Sequence, residues 1–270
     1  MKIYLMTDLE GVAGVLNFHE WVFTTGMFFY ESRKLLTMEA NAAVEGFFAG
    51  GASEVVVAAG HGGGSGAIDT SLLDPRAKFQ RGWPKGPYPL GLDKSYDAVA
   101  FVGQHAKAGT EYAHLAHTQN LRVIDLSVND ISVGEFGQTA LCAGELDIPV
   151  IFGSGDKAFT KEAIELIPGI ETVTVKEGLM SGKGDECSEE EYTARNAAAI
   201  HLHPETARKL IRKGAKKSIE RLIKERFGIV KIQPPYKLVY VFRADEKNPQ
   251  TTKVKTHPSS ISELMNKPFD

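Results

Sequence analysis

The chain has 270 residues, 43% hydrophobic and 24% charged, enough to bury a substantial core as one large domain or as a domain with a smaller companion. Its 31 Lys and Arg against 34 Asp and Glu leave a net charge of -3, so the basic excess that favours a phosphate backbone is missing and no nucleic-acid partner is expected. No run approaches the roughly 18 apolar residues of a membrane span, and Asp8 and Glu10 interrupt the first apolar run too early for a secretory signal, so no membrane partner and a cytoplasmic location are expected.

That first run, residues 3–6, reads as a strand and leads directly into "TDLEGVAG". Side chains two apart on a strand point the same way, so Asp8 and Glu10 converge on one small volume past the strand end. Two carboxylates there repel each other unless a cation joins them. A helix is expected over 33–49, where Leu35, Leu36, Ala40, Ala43, Val44, Phe47 and Phe48 fall near helical spacing and Gly50-Gly51 supplies a stop. Strands follow at 54–59, 98–103, 122–126, 150–152 and 172–175, mostly rich in Val, Ile and Phe, as in a sheet buried on both faces. Helices at 135–143 and 157–166 alternate with them, the second closed by Pro168-Gly169. This alternation predicts an α/β three-layer sandwich with a mostly parallel central sheet. After Val175 the stretch "KEGLMSGKGDECSEEE" reads as a loop or hinge. Helices are expected at 189–200 and 205–227, broken near His203-Pro204, the second with a basic, solvated face. A strand pair at 236–243 and 251–255 and a short helix from Ser259 complete the chain. The expected division is a catalytic α/β domain over 1–178 and a smaller carboxyl-terminal α+β subdomain over 189–270.

In open α/β sheets, sites form beyond the carboxyl ends of the strands. Asp8 and Glu10 stand at the first such end, His61 at the second and His105, in "FVGQHA", at the third, while "SVNDISVGEFG" presents Glu135 at a helix start. Singly, each has an ordinary role as a turn cap, a first-turn carboxylate or a hydrogen-bonded histidine. Together, two histidines and three carboxylates suit a divalent ion such as zinc. With Asp8 able to bridge, they can hold a pair of ions about 3.5 to 4 Å apart with positions open for water, which makes hydrolysis the expected reaction class. In "GHGGGSG", Gly62, Gly64 and Ala67 fit a relaxed dinucleotide pattern, but the acidic residue expected about 20 positions on is absent, which disfavours a nucleotide-binding oxidoreductase. "HGGG" is the type of oxyanion loop found in lipases, yet the chain has no G-x-S-x-G elbow, which disfavours a serine hydrolase. "EYAHLAHT" adds His114 and His117, either of which suits proton transfer near neutral pH, and spacing does not choose between them.

The set formed by "TDLEGVAG", "MEANAAVEGFFAGGASEVVV" leading to His61, "FVGQHAKAG", "AHT" and "NDISVGEFGQTALCAGELDIPV" resembles the DppA-type D-aminopeptidases, the M55 class of zinc metallopeptidases, through most of residues 1–175. The resemblance implies a dinuclear site with two Zn2+ per chain, Asp8 as its bridge and Glu10, His61, His105 and Glu135 as the remaining ligands. It implies that His117 is the catalytic histidine, and His114 has no counterpart in it. It further implies an aminopeptidase that hydrolyses short peptides or amides, releases amino-terminal D-amino acids and assembles as a homo-oligomer, a ring-shaped homodecamer. The chain departs from the family pattern at Ala58-Ala59, in place of a polar pair before His61, and around 181–185, where the family loop is expected to meet substrate. The alternative reading is a non-catalytic, metal-dependent small-ligand-binding protein using the same cleft.

Overall fold

The computed structural model describes residues 1–64, 66–83, 86–245 and 249–269. In chain order the strands are β1 (Lys2–Thr7), β2 (Glu54–Ala59), β3 (Lys78–Gln80), β4 (Ala98–Gln104), β5 (Val123–Val128), β6 (Ile131–Ser132), β7 (Val150–Asp156), β8 (Glu171–Gly178), β9 (Ala199–His201), β10 (Tyr236–Phe242) and β11 (Thr251–His257). The helices are α1 (Phe29–Gly50), α2 (Glu135–Glu145), α3 (Lys157–Leu166), α4 (Glu189–Arg195), α5 (Pro204–Leu222) and α6 (Ile261–Asn266).

Among the described residues, seven strands form one sheet in the order β3-β2-β1-β4-β7-β8-β9, parallel throughout except for the β8–β9 pair. The alternation of side chains along β1 explains the layers. Ile3 and Leu5 face a core shared with α1 and α5, while Tyr4 and Met6 face one shared with α2 and α3. Both faces of the strand are covered, so it carries no polar alternation. On the first side, Ala207, Ile211, Ala215 and Ile219 of α5 are buried, and Gly46 of α1 lies where a Cβ would collide with Arg212 O. That glycine lets the two helices approach closely, while Lys209, Lys213 and Lys216 remain exposed.

A second, antiparallel sheet runs β11-β10-β5-β6 among the described residues, backed by α2 and α6 through Leu141, Cys142, Leu238 and Leu264. The strand expected at 122–126 belongs here and not to the parallel sheet: its partners are β6 and β10. Asn129 and Asp130 have φ of 48° and 66°, the left-handed pair that a two-residue hairpin between β5 and β6 requires. The helix expected over 189–200 is also corrected. It stops at Arg195, and Ala199–His201 pairs with β8 as a strand. Helix α5 ends at Leu222, short of Phe227. Among the described residues no helix is long and apolar enough to cross a membrane.

Candidate metal centre

The ends of β1 and β4 approach each other more closely than side chains allow. Asp8 N donates to Val102 O at 2.9 Å and Gly11 N to Gly103 O at 2.7 Å. A Cβ on Gly103, whose φ is +75°, would collide with Asp8 O, and one on Gly11 would collide with Gln104 O. The glycines of "DLEG" and "VGQH" therefore bring Asp8 and Glu10 against Gln104 and His105. His61 opens a short 3-10 turn directly after β2. Glu135, the first residue of α2, is delivered by the β5–β6 hairpin, and His117 by the loop between β4 and β5.

These side chains meet beside a cavity of about 900 Å³. Asp8 uses both oxygens: Oδ1 lies 3.2 Å from His61 Nδ1, and Oδ2 lies 3.2 Å from His105 Nε2. Glu10 Oε2 is 3.1 Å from His61 Nδ1, and Glu135 Oε2 is 3.9 Å from His105 Nε2. His117 Nε2 stands between the two halves, 3.9 Å from Glu10 Oε1 and 3.8 Å from Glu135 Oε1. Its ring stacks on that of His105 with centroids 4.1 Å apart.

Burial presses His61 toward its neutral form, but Glu10 and Asp8 outweigh it and hold its pKa well above the ordinary histidine value. His105 behaves in the same way, with burial outweighed by Asp8, Glu135 and Glu10. For Asp8, burial favours the neutral acid, yet His105 and His61 hold the carboxyl well below the usual range. Divalent metal competes for these same lone pairs, so binding it here releases protons.

The residues present fit a metal ion. Ala106 O, which can only accept, lies 2.9 Å from His105 Nδ1, so Nδ1 keeps its proton and Nε2 is the nitrogen that gives up its proton to offer a lone pair to metal. His105 Nε2 is buried and faces Asp8 Oδ2 at 3.2 Å without hydrogen-bond geometry, an arrangement that a cation between it and the carboxylates would complete. The donor atoms of Asp8, Glu10 and His105 lie within 4.8 Å of one another, as do those of His105, His117 and Glu135. Imidazole nitrogen with carboxylate oxygen is a zinc donor set.

His114 lies elsewhere. It is fully buried, its Nε2 donates to Leu16 O at 3.1 Å, and its ring meets that of His201 edge-on. Burial, with Lys176 and His201 nearby, pushes its pKa down to about 2. Sequence reasoning misses three polar neighbours of the site. Gln104 Nε2 donates to Asp8 Oδ2 at 3.1 Å, Gln119 N donates to Glu135 Oε1 at 2.7 Å, and Gln119 Nε2 donates to Tyr88 OH at 2.9 Å. Gln104 and Gln119 adjoin the quoted histidine motifs and were within reach of that reasoning, whereas nothing local marks Tyr88.

A mostly parallel α/β sandwich with a histidine and carboxylate cluster beyond its strand ends defines a class of α/β proteins with a candidate metal centre at the carboxyl ends of the sheet. Within that class the chain belongs to the M55 peptidase family, whose model, described as D-aminopeptidase, matches residues 1–257. It is similar to a D-aminopeptidase of Bacillus subtilis (strain 168), 34% identical over 182 residues, which make up 66% of this chain and 65% of that relative. It therefore matches just under two thirds of the relative's length. Among solved structures it is similar to the Zn-dependent D-aminopeptidase DppA from Bacillus subtilis, a self-compartmentalizing protease. The TM-score is 0.83 at 23% identity, over 98% of this chain and 95% of that one, a likeness of fold.

Proposed function

We propose that this protein is a zinc-dependent aminopeptidase that holds two ions per chain, releases amino-terminal D-residues from short peptides or amides, and works as a homo-oligomer, a homodecameric ring. In this reading Asp8, Glu10 and His61 would hold one ion, Asp8, His105 and Glu135 would hold the other, and His117 would move the proton. The observation that carries it is Asp8, whose two oxygens face two different histidines at 3.2 Å each. Family membership and the relatives' descriptions support the D-peptide substrate. The solved relative's self-compartmentalizing assembly supports the oligomer.

When bound, the metal pair polarises the scissile carbonyl and lowers the pKa of the attacking water. The chain's own residues supply the rest. Leu115 O lies 3.0 Å from His117 Nδ1 and holds the proton there, which leaves Nε2 facing the cavity to take a proton from water or deliver one to the leaving amine. The edge contact with Phe18 and the stack on His105 fix the ring in that orientation. Phe23, Trp83 and Leu90 line the cavity and keep water from a small apolar substrate side chain. None of the described lining residues is Lys or Arg, and with the ligand carboxylates neutralised by the ions Glu189 is the lining carboxylate left to meet a substrate's ammonium end.

The test is a zinc-reconstituted enzyme offered D-Ala-D-Ala and L-Ala-L-Ala, each with a free or an acetylated amino terminus. Faster release from the free D-peptide is expected, because a site that hydrogen-bonds its substrate can discriminate by as much as about 10⁴ in kcat/KM. Equal rates for both hands would overturn the stereochemical claim, and indifference to acetylation would leave a general amidase. Retained metal without turnover on any amide, peptide or ester would instead mark a ligand-binding protein.

A further inference from the structure

The loop that carries Glu10 is tied down from below by a lysine. Lys176 lies in β8, in register with Asp156 of β7, and is only 2% exposed. Its ammonium donates to three backbone carbonyls of that one loop: Glu10 O, Val12 O at 3.0 Å and Val15 O at 3.2 Å. Three other side chains hold the same stretch. Glu39 of α1 accepts from Ala13 N at 3.0 Å, His201 Nδ1 of β9 accepts from Gly14 N at 3.1 Å, and His114 Nε2 donates to Leu16 O at 3.1 Å. The three donors of a lysine match the three carbonyls. Val12 O also accepts from Val15 N at 3.3 Å, so a side chain without donors at this position would take the bond shown here from Glu10 O and Val15 O, both buried.

We propose that Lys176 is a positioning residue of the metal site: by tying the carbonyls of Glu10, Val12 and Val15 it turns the chain after β1 back on itself, so that the Glu10 carboxylate faces His61. It thereby sets the metal affinity and geometry of the half formed by Asp8, Glu10 and His61. This rests on Glu10 being a ligand and reaches beyond it, since Lys176 is not among the residues lining the cavity. A lysine that served stability alone would lower the melting temperature on removal without altering how the remaining site grips an ion.

The experiment compares full-length wild type with Lys176→Met, His201→Ala, Glu39→Gln and Glu10→Ala. Zinc affinity is read by chelator competition on metal-free protein, and ligand geometry by the visible absorption of bound Co2+. Lys176→Met is expected to weaken one of the two ions about 10- to 100-fold and to change its cobalt spectrum, the usual effect of losing a group that orients a ligand. The second ion should keep its affinity. His201→Ala, which removes one bond to the same loop at a partly exposed position, should move affinity in the same direction by a smaller factor. Wild-type affinity and an unchanged spectrum in Lys176→Met would overturn the proposal. Should that variant fail to fold, the same result in His201→Ala would overturn it, with Glu39→Gln, which keeps an acceptor for Ala13 N, as the control. Glu10→Ala tests the underlying assignment separately: full metal binding there would remove Glu10 as a ligand, whatever Lys176 does.

Discussion

Asp8 is buried between two histidines, and its charge is compensated from both sides. Asp8→Ala and His105→Ala are each expected to lose metal and activity together while the chain stays folded. Metal analysis of the purified variants checks this, and unchanged content in both would remove the assignment. Their melting temperatures should no longer rise with added zinc, because an ion that binds the native state stabilises it by mass action. His117→Ala should keep its metal and lose on the order of 10²- to 10⁴-fold in turnover. His114 gives a pH signature instead. Its folded pKa of about 2 lies below the unfolded value near 6.5, so as pH falls through 6.5 the unfolded chain takes up a proton that the folded chain refuses. Wild type loses that stability from pH 6.5 downward, and His114→Gln does not. Glu39, pushed up to about 7 by burial, takes up a proton in the opposite sense but does so in both proteins. Urea unfolding should therefore find the deficit of His114→Gln shrinking by about 2 kcal/mol between pH 7 and 5, and a constant deficit would contradict it. The strand-end residues are legible in sequence because period-two geometry and charge repulsion are local arguments. Lys176 is not, since in "TVTVKEG" it sits where any solvated lysine could, and only packing places it under the Glu10 loop.

At the scale of elements, the strand ends are held together by glycine. Gly103→Ala puts a Cβ at positive φ against Asp8 O, and a strained, colliding backbone costs at least about 1 to 3 kcal/mol. Urea unfolding should show that loss, and weaker zinc binding should accompany it because Asp8 is displaced. A neutral Gly103→Ala would contradict the close approach of β1 and β4. Most elements can be read from apolar runs and helical spacing: residues 54–59 and 157–166 form their elements with the expected bounds. The failures are physical. The run at 122–126 looks like a central strand because β5 is covered by α2 and α6 on one face, and hairpin topology, not composition, decides which sheet it joins. Ala199–His201 becomes a strand because the exposed edge of β8 offers partners there, a tertiary effect that overrides local propensity.

For the whole molecule, the chain beyond Gly178 feeds both sheets, with β9 bonded to β8, α5 packed on α1 and β10 bonded to β5. Length and composition foretell a large core but not that weave, because strand order depends on long-range pairing. They also give no hint of the exposed apolar side chains that follow Phe23, a cavity-lining residue: Met27 is 80% and Tyr30 72% exposed, with Phe28 close by in sequence. Exposed apolar side chains of this kind suit a contact surface, for which the proposed oligomer would supply the partner. The double substitution of Met27→Glu and Tyr30→Glu is expected to lower the mass in solution, as measured by light scattering, without unfolding the subunit. An unchanged assembly would remove this surface from the interface.

The central claim is a two-ion centre bridged by Asp8. Anomalous diffraction at the zinc absorption edge, from crystals of the reconstituted protein, measures it directly. The account predicts two peaks about 3.5 to 4 Å apart, one on either side of the Asp8 carboxylate, the first beside Glu10 and His61 and the second beside His105 and Glu135. A single peak, or a pair with Asp8 outside coordination distance, would contradict it.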